Sequence, residues 1–186
     1  MIADRFADAV DALVDRIGAL AAGLVLVLVL LIAGNTLARY FFNASTLWLQ
    51  ELEWHLLAVI ALWGIAYLQL RGSQVRVDMF YQHFSPVTKR RLELATLLLV
   101  SVPFSAFVVY LSWRFVAHSW SLSEVSPDPG GLPARWLVKS LVLSGYALLG
   151  LAALSQAIRL LRDPAAPLPG APEPIVLPPT EARDGA

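Results

Sequence analysis

The chain has 186 residues, of which 58% are hydrophobic and only 15% charged. Its 14 basic and 14 acidic residues cancel, so it lacks the basic excess that binding to nucleic acid requires. It contains no cysteine, which excludes disulfides, thiolate chemistry and cysteine-bound metals.

Four stretches, residues 17–38, 54–70, 94–113 and 140–158, contain no Asp, Glu, Lys or Arg. A helix needs about 20 apolar residues to cross a hydrocarbon core of about 30 Å. Charged residues stand just outside each stretch, at Arg16, Arg39, Glu53, Arg71, Glu93, Arg114, Lys139 and Arg159. The pattern predicts an all-α membrane protein with four transmembrane helices and little left over for a soluble domain.

Residues 1–16 place Phe6, Val10, Leu13, Val14 and Ile17 at helical spacing among Asp4, Asp8, Asp11 and Asp15. Two readings fit: a short amphipathic helix on the cytoplasmic surface, or the solvated start of the first span. The acids and the 22-residue length of the apolar stretch argue against a signal peptide, so the span is read as retained. In the loop 39–53, Ser45 or Thr46 suits a helix N-cap. A helix from there to Leu70 exceeds one straight span, so its first turns lie in the interface or it tilts strongly.

The loop 71–91 is the most charged segment. Phe80 and Phe84 share a helical face that suits the membrane surface. Ser85 and Pro86 then form a strong helix start, with Ser as cap and Pro in the first helical position. Pro103 predicts a kink in the third helix. Residues 127–131 are a breaker cluster, and Pro133 suits the start of the fourth helix. Residues 164–179 hold seven of the twelve prolines, which reads as a disordered or polyproline-like tail with nothing that packs. There is no internal repeat of the kind from which inverted-repeat transporters are built.

Basic residues set the orientation. Arg5, Arg16, Arg71, Arg76, Lys89, Arg90, Arg91, Arg159, Arg162 and Arg183 fall on one side, against Arg39, Arg114, Arg135 and Lys139 on the other. The positive-inside rule predicts cytoplasmic termini and a cytoplasmic second loop. Trp48, Trp54, Trp113, Trp120 and Trp136 stand at span ends, as interfacial tryptophans do.

Several short signals occur in a characteristic order. Arg39-Tyr40-Phe41-Phe42-Asn43, then Ser45, Trp48 and Glu51, precede the second span. Gly64 lies inside it, and Arg71-Gly72 with Val75-Arg76-Val77-Asp78 closes it. Over roughly residues 16–162 the chain resembles the small membrane subunit of tripartite ATP-independent periplasmic (TRAP) transporters. It departs from that pattern at Gln74, where histidine is frequent, and at Gln50-Glu51, where two adjacent acids are frequent. The resemblance implies an inner-membrane system of three parts without an ATPase. A soluble periplasmic binding protein captures an organic acid, a large multi-span permease subunit binds substrate and sodium and moves, and the small subunit packs beside it as a fixed support.

The residues themselves carry a narrower message. No Asp, Glu, Lys or Arg lies within the four spans, and His55 stands at a span end, so the chain has no polar path of its own, which fits a supporting subunit and equally a membrane anchor. Glu51 beside Trp48 is the best polar candidate for a partner contact, with an ordinary solvated acid in a helix's first turn as the bland alternative. Together with Arg39, Asn43, Gly64, Arg71, Gly72, Arg76 and Asp78, these residues form the candidate partner surface. Arg71 and Arg76, flanking Gly72, suit lipid phosphates, a partner's carbonyl ends, or simple positive-inside anchoring. Asp78 is expected to pair locally with Arg76 or with one of the basic residues 89–91. His55 and His118 stand at neighbouring span ends, and two such residues can hold a haem between helices. A haem-bearing respiratory anchor is therefore the alternative, although neither histidine lies in an apolar helix core, and no haem or metal site is expected. No nucleophile–base–acid set converges, so no enzymatic activity is expected. Gly18 with Ala22, and Gly150 with Ala153 and Ala157, form small-residue faces suited to helix packing.

Overall fold

The computed structural model describes residues 2–43, 47–72, 83–163 and 168. All of its regular structure among these residues is helical: α1 (Ile2–Phe42), α2 (Leu47–Arg71), α3 (Pro86–Thr96), α4 (Val102–Ser121) and α5 (Trp136–Arg162). A π-helical turn, Leu97–Ser101, joins α3 to α4, so Pro86–Ser121 is one continuous rod. Four helical segments are thus long and apolar enough to cross a membrane, and each apolar stretch of the sequence lies inside one of them.

Helix α5 is central and packs against α1, α2 and the α3–α4 rod. Its side chains allow this. Ala152, Ala153 and Ala157 are fully enclosed, and Gly145 lies against the backbone of Leu62 in α2. One apolar cluster joins Val10 and Val14 of α1, Ala66 of α2, and Leu148, Leu149 and Ala152 of α5. A second joins Leu97 with Ala153, Ala157 and Leu160. Small residues suit helix association in lipid, where close van der Waals packing replaces the hydrophobic drive. Gly18, Gly150, Ala153 and Ala157 pack internally as their spacing suggests, whereas Ala22 faces outward. Leu168 also packs against the second cluster, so at least this residue of the proline-rich segment finds an apolar contact.

Polar groups inside the bundle bond one another. Gln69 Nε2 donates to Gln156 Oε1 at 2.8 Å, and Gln156 Nε2 donates to the carbonyls of Gln69 (2.7 Å) and Leu70 (3.0 Å). Trp63 Nε1 donates to Ser144 Oγ at 3.1 Å. Ser105 Oγ, enclosed beside Gly150, has no hydrogen-bond partner among the described residues.

Residues 2–16 are the first turns of α1 and not a separate helix. Ala7, Val10 and Val14 face the bundle. The aspartates recur at i, i+4, i+7 and i+11, which sets them on one helical face. That face meets the arginines of neighbouring helices: Asp4 pairs with Arg162 (2.6 Å), Asp8 with Arg159 (2.8 Å), Asp11 with Arg159 (2.5 Å) and Asp15 with Arg71 (2.7 Å). Ser155 Oγ also donates to Asp11 Oδ1 at 2.6 Å. At the opposite end, Asn35 Nδ2 donates to Glu53 Oε1 at 2.8 Å, and Lys139 pairs with Glu124. Along α1, α2 and α5, these polar ties stand about 20 residues apart, or roughly 30 Å, the thickness of a hydrocarbon core. They divide the molecule into a terminal end, holding residues 2–16 and 159–163, and a loop end, holding residues 42–43, 47–54 and 122–135.

Local signals explain most boundaries. Ser85 Oγ accepts from Thr88 N at 3.2 Å and Pro86 occupies the first turn, as the sequence predicts. Arg90 donates to the carbonyls of Leu160 and Asp163, and so caps α5. Gly72 ends α2 with φ +63° and donates to Gln69 O, a left-handed cap that suits glycine. Pro103 sits just after the π turn, where Val102 N–H reaches back to Leu97 O, so its missing donor is absorbed in a widened turn. The start of α5 differs from expectation. Ala134 has φ +61°, a left-handed conformation that cannot join a right-handed helix, so α5 begins at Trp136 and not at Pro133. The proposed cap at Ser45 or Thr46 and the shared face of Phe80 with Phe84 both involve positions outside the described residues.

Candidate functional site

At the loop end the chain between α4 and α5 folds onto the start of α2. Glu51, one turn into α2, is the anchor. Ser126 Oγ donates to Glu51 Oε1, and the Leu132 backbone N–H donates to Glu51 Oε2. The loop closes on itself as well, through Ser126 N to Leu132 O (3.2 Å) and Arg135 N to Glu124 O (2.9 Å). Glu51, Trp54, His55, Leu132 and Arg135 line an open cleft of about 240 Å³ beneath it. The Glu51 carboxylate is therefore neither a bare surface acid nor free for a partner. It clasps its own loop.

A second tie stands beside the first. Glu124 accepts from Ser119 Oγ (2.6 Å) and pairs with Lys139, whose ammonium also lies 4.1 Å from the centre of the Phe115 ring. Trp120 and Trp136 meet edge to face at 4.3 Å. These contacts bind the end of α4 to the start of α5. The hydrogen bonds from Lys139 and Ser119 hold the Glu124 carboxyl below the usual carboxylate range.

Two predictions arise here. Glu51→Lys removes both acceptors and sets a cation beside Arg135, so the 122–135 loop is expected to open. Limited proteolysis in detergent should then cut between residues 122 and 135 several-fold faster, because both carboxylate acceptors that hold the loop are lost. Glu124 contributes to the pH response. Its folded pKa is depressed, so its contribution is fully present above the unfolded value of about 4.3 and is lost as pH falls through the folded value. Loop protection should therefore stay constant from pH 5 to 8 and fail only in stronger acid, and Glu124→Gln should shrink that acid step to the part carried by Glu51, whose carboxyl the bonds from Ser126 and Leu132 also hold below the usual range.

The remaining candidates fall in different places. Arg39, Tyr40, Phe41 and Phe42 are exposed on the last turn of α1, and Asn43 ends it with φ +53°. Trp48 is 46% exposed on α2. Gly64 has nothing within 4 Å of where a Cβ would stand, so its lack of a side chain answers to no contact within the described chain. Arg71 lies at the terminal end, paired with Asp15 and 5.5 Å from the centre of the Tyr67 ring. Arg76 and Asp78 lie outside the described residues. The structure thus gathers Arg39, Asn43, Trp48 and Glu51 at one end and leaves Arg71 and Gly72 at the other. His55 turns Nδ1 to the Glu51 carbonyl, one turn back on its own helix.

Sequence reasoning missed Ser126, Glu124 and Lys139 as partners of the loop, because ties between residues 15 to 81 positions apart leave no local signature. It also missed the aspartate–arginine ladder, although the spacing of the aspartates was a usable signal for one face.

No curated protein and no solved structure matches the chain. A family profile does: the DctQ component of the tripartite ATP-independent periplasmic transporters, over residues 28–163. That span holds the last third of α1, all of α2 to α5, the Glu51 clasp and the Gln69–Gln156 pair. The chain therefore belongs to the DctQ family and is a small membrane component of a TRAP transporter.

Proposed function

We propose that this protein is the fixed support of a three-part importer of an organic acid, driven by an ion gradient, with sodium as the coupling ion. It sits in the bacterial inner membrane with both termini in the cytoplasm, which is the side its basic residues favour. A large permease subunit carries the substrate, and a periplasmic binding protein delivers it to the face that bears the Glu51 clasp. Arg39, Asn43, Trp48 and Gly64 contribute to the surface that meets these partners, and Arg71 and Arg76 hold the cytoplasmic boundary against lipid headgroups. The small subunit catalyses no covalent step.

One observation carries this reading. The polar groups between the helices close on one another, at Gln69–Gln156 and Trp63–Ser144, and so offer a solute no continuous polar lining. A rigid bundle of this kind supports a moving neighbour better than it moves a solute. The test is to reconstitute the chain in liposomes under a sodium gradient, alone and with its large subunit. Organic acid uptake is expected only with both subunits. Robust uptake by the small subunit alone would sink the proposal. Reporters active on one side of the membrane, fused after Asp128 and Asp163, test the orientation, and a periplasmic signal at Asp163 would reverse it.

A further inference from the structure

The apolar face of α1 does not stop where the membrane does. Ile2, Phe6, Ala9 and Leu13 recur at i, i+4, i+7 and i+11 and form a stripe that continues to Leu20. All five are exposed, Ile2 at 85%, Phe6 at 39% and Leu13 at 45%. This stripe is distinct from the seam of Ala7, Val10 and Val14 that packs into the bundle. It is distinct too from the aspartate face, which the arginines of α2 and α5 neutralise. Arg5 and Arg16 border it, both exposed and neither in an ion pair with the described residues.

The height of the stripe decides what can cover it. The exposed Asp15–Arg71 pair cannot lie in hydrocarbon, so it marks the core boundary or a level beyond it. From Asp15 to Ile2 the unbroken helix rises roughly 20 Å. The headgroup layer adds only about 5–7 Å on each side of the core. Even at a tilt of about 40°, the steep end for membrane helices, the start of α1 stands about 15 Å above the core. Lipid can therefore cover Leu20 and the neighbourhood of Leu13, but not Phe6 or Ile2.

The geometry points to a protein occupant: the large permease subunit docks along this stripe through an apolar helix that also extends beyond the cytoplasmic boundary, with acidic groups beside Arg5 and Arg16. The bordering arginines supply the complementary charge, and the cytoplasmic strut of α1 supplies the register. This rests on the proposed pairing with a large subunit and adds the face and the chemistry of that contact.

The chain has no cysteine, so single-cysteine labels report one site each. Spin labels at Phe6→Cys and Leu13→Cys sit on the stripe, and one at Val87→Cys sits on α3, where Val87 is 60% exposed and away from α1. Collisions with a water-soluble nickel chelate and with oxygen are measured in liposomes, for the small subunit alone and for the complex. Nickel access at position 6 is expected to fall at least about tenfold in the complex without a gain in oxygen access, while position 87 is unchanged. Phe6→Glu combined with Arg5→Glu should cut recovery of the large subunit at least about tenfold, a loss of 1.4 kcal/mol or more. Protection already present in the small subunit alone would mean that its own loop or tail covers the stripe, and would overturn the inference. High oxygen access at position 6 would overturn it in favour of lipid. Unchanged nickel access, with the large subunit bound, would overturn it while leaving the subunit pairing intact. If the unaltered chain recovers no large subunit at all, the pairing and this inference both fall.

Discussion

Gly145→Val is expected to separate α2 from α5 and to unfold the bundle at lower temperature than any single change on its outer surface. A Cβ at position 145 would stand 2.7 Å from the Leu62 carbonyl oxygen and 2.9 Å from Leu62 Cβ. Backbone atoms cannot rotate aside as a side-chain tip can, so the helices must move apart. Overpacking of this kind costs about 1–3 kcal/mol and more where backbone is forced. The Trp63–Ser144 hydrogen bond lies next to the contact, which makes tryptophan emission a reporter of the separation. A fall of about 5–10 °C in apparent melting temperature in detergent is expected at this chain length. Gly23→Val is the control, since nothing lies within 4 Å of its Cβ position, and it should leave the melting temperature unchanged. Equal melting of the two variants would refute the close α2–α5 contact. Gly64→Val adds a functional reading. It should leave the lone chain as stable as the wild type and weaken only recovery of the large subunit.

Gln156→Leu is expected to be the most damaging loss of a polar group. The Gln156 amide serves three bonds at once, accepting from Gln69 Nε2 and donating to two carbonyls at the end of α2. The last carbonyls of a helix have no intrahelical donor, so this side chain acts as a cap supplied by another helix. Its loss leaves the Gln69 amide and the α2 terminus short of partners, at a cost of about 1–3 kcal/mol. Membrane references soften such penalties, with averages near 0.6 kcal/mol for single interhelical bonds, which places the expected value toward the low end for each bond and at about 1–2 kcal/mol for the set. A cycle with Gln69→Leu measures the coupling. The double variant should lose less than the sum of the single ones, because each single change already breaks the bond between the two amides. Strict additivity would mean that the two amides do not meet.

The sequence by itself determined the number of spans, since a run of about 20 residues without charge has few uses other than a membrane helix. It also set the helix start at Ser85-Pro86 and carried the motif order that resembles the TRAP small subunits, and the DctQ profile over residues 28–163 supports that resemblance. These signals are local, or depend on spacing within one segment. What Glu51 does was decided only in three dimensions, because Ser126 and Leu132 lie 75 and 81 residues away in the chain. The same holds for Gln156, which reads in sequence as a polar residue near a span end and in the fold as the cap of α2. Residues 2–16 show the division most clearly. Their periodicity made them helical, but two apolar faces and an acidic one are compatible with a surface helix or with a strut. Only the arginines of α2 and α5, brought to the same end by the antiparallel packing of the bundle, chose the strut, since each aspartate then finds an opposite charge from a segment distant in sequence.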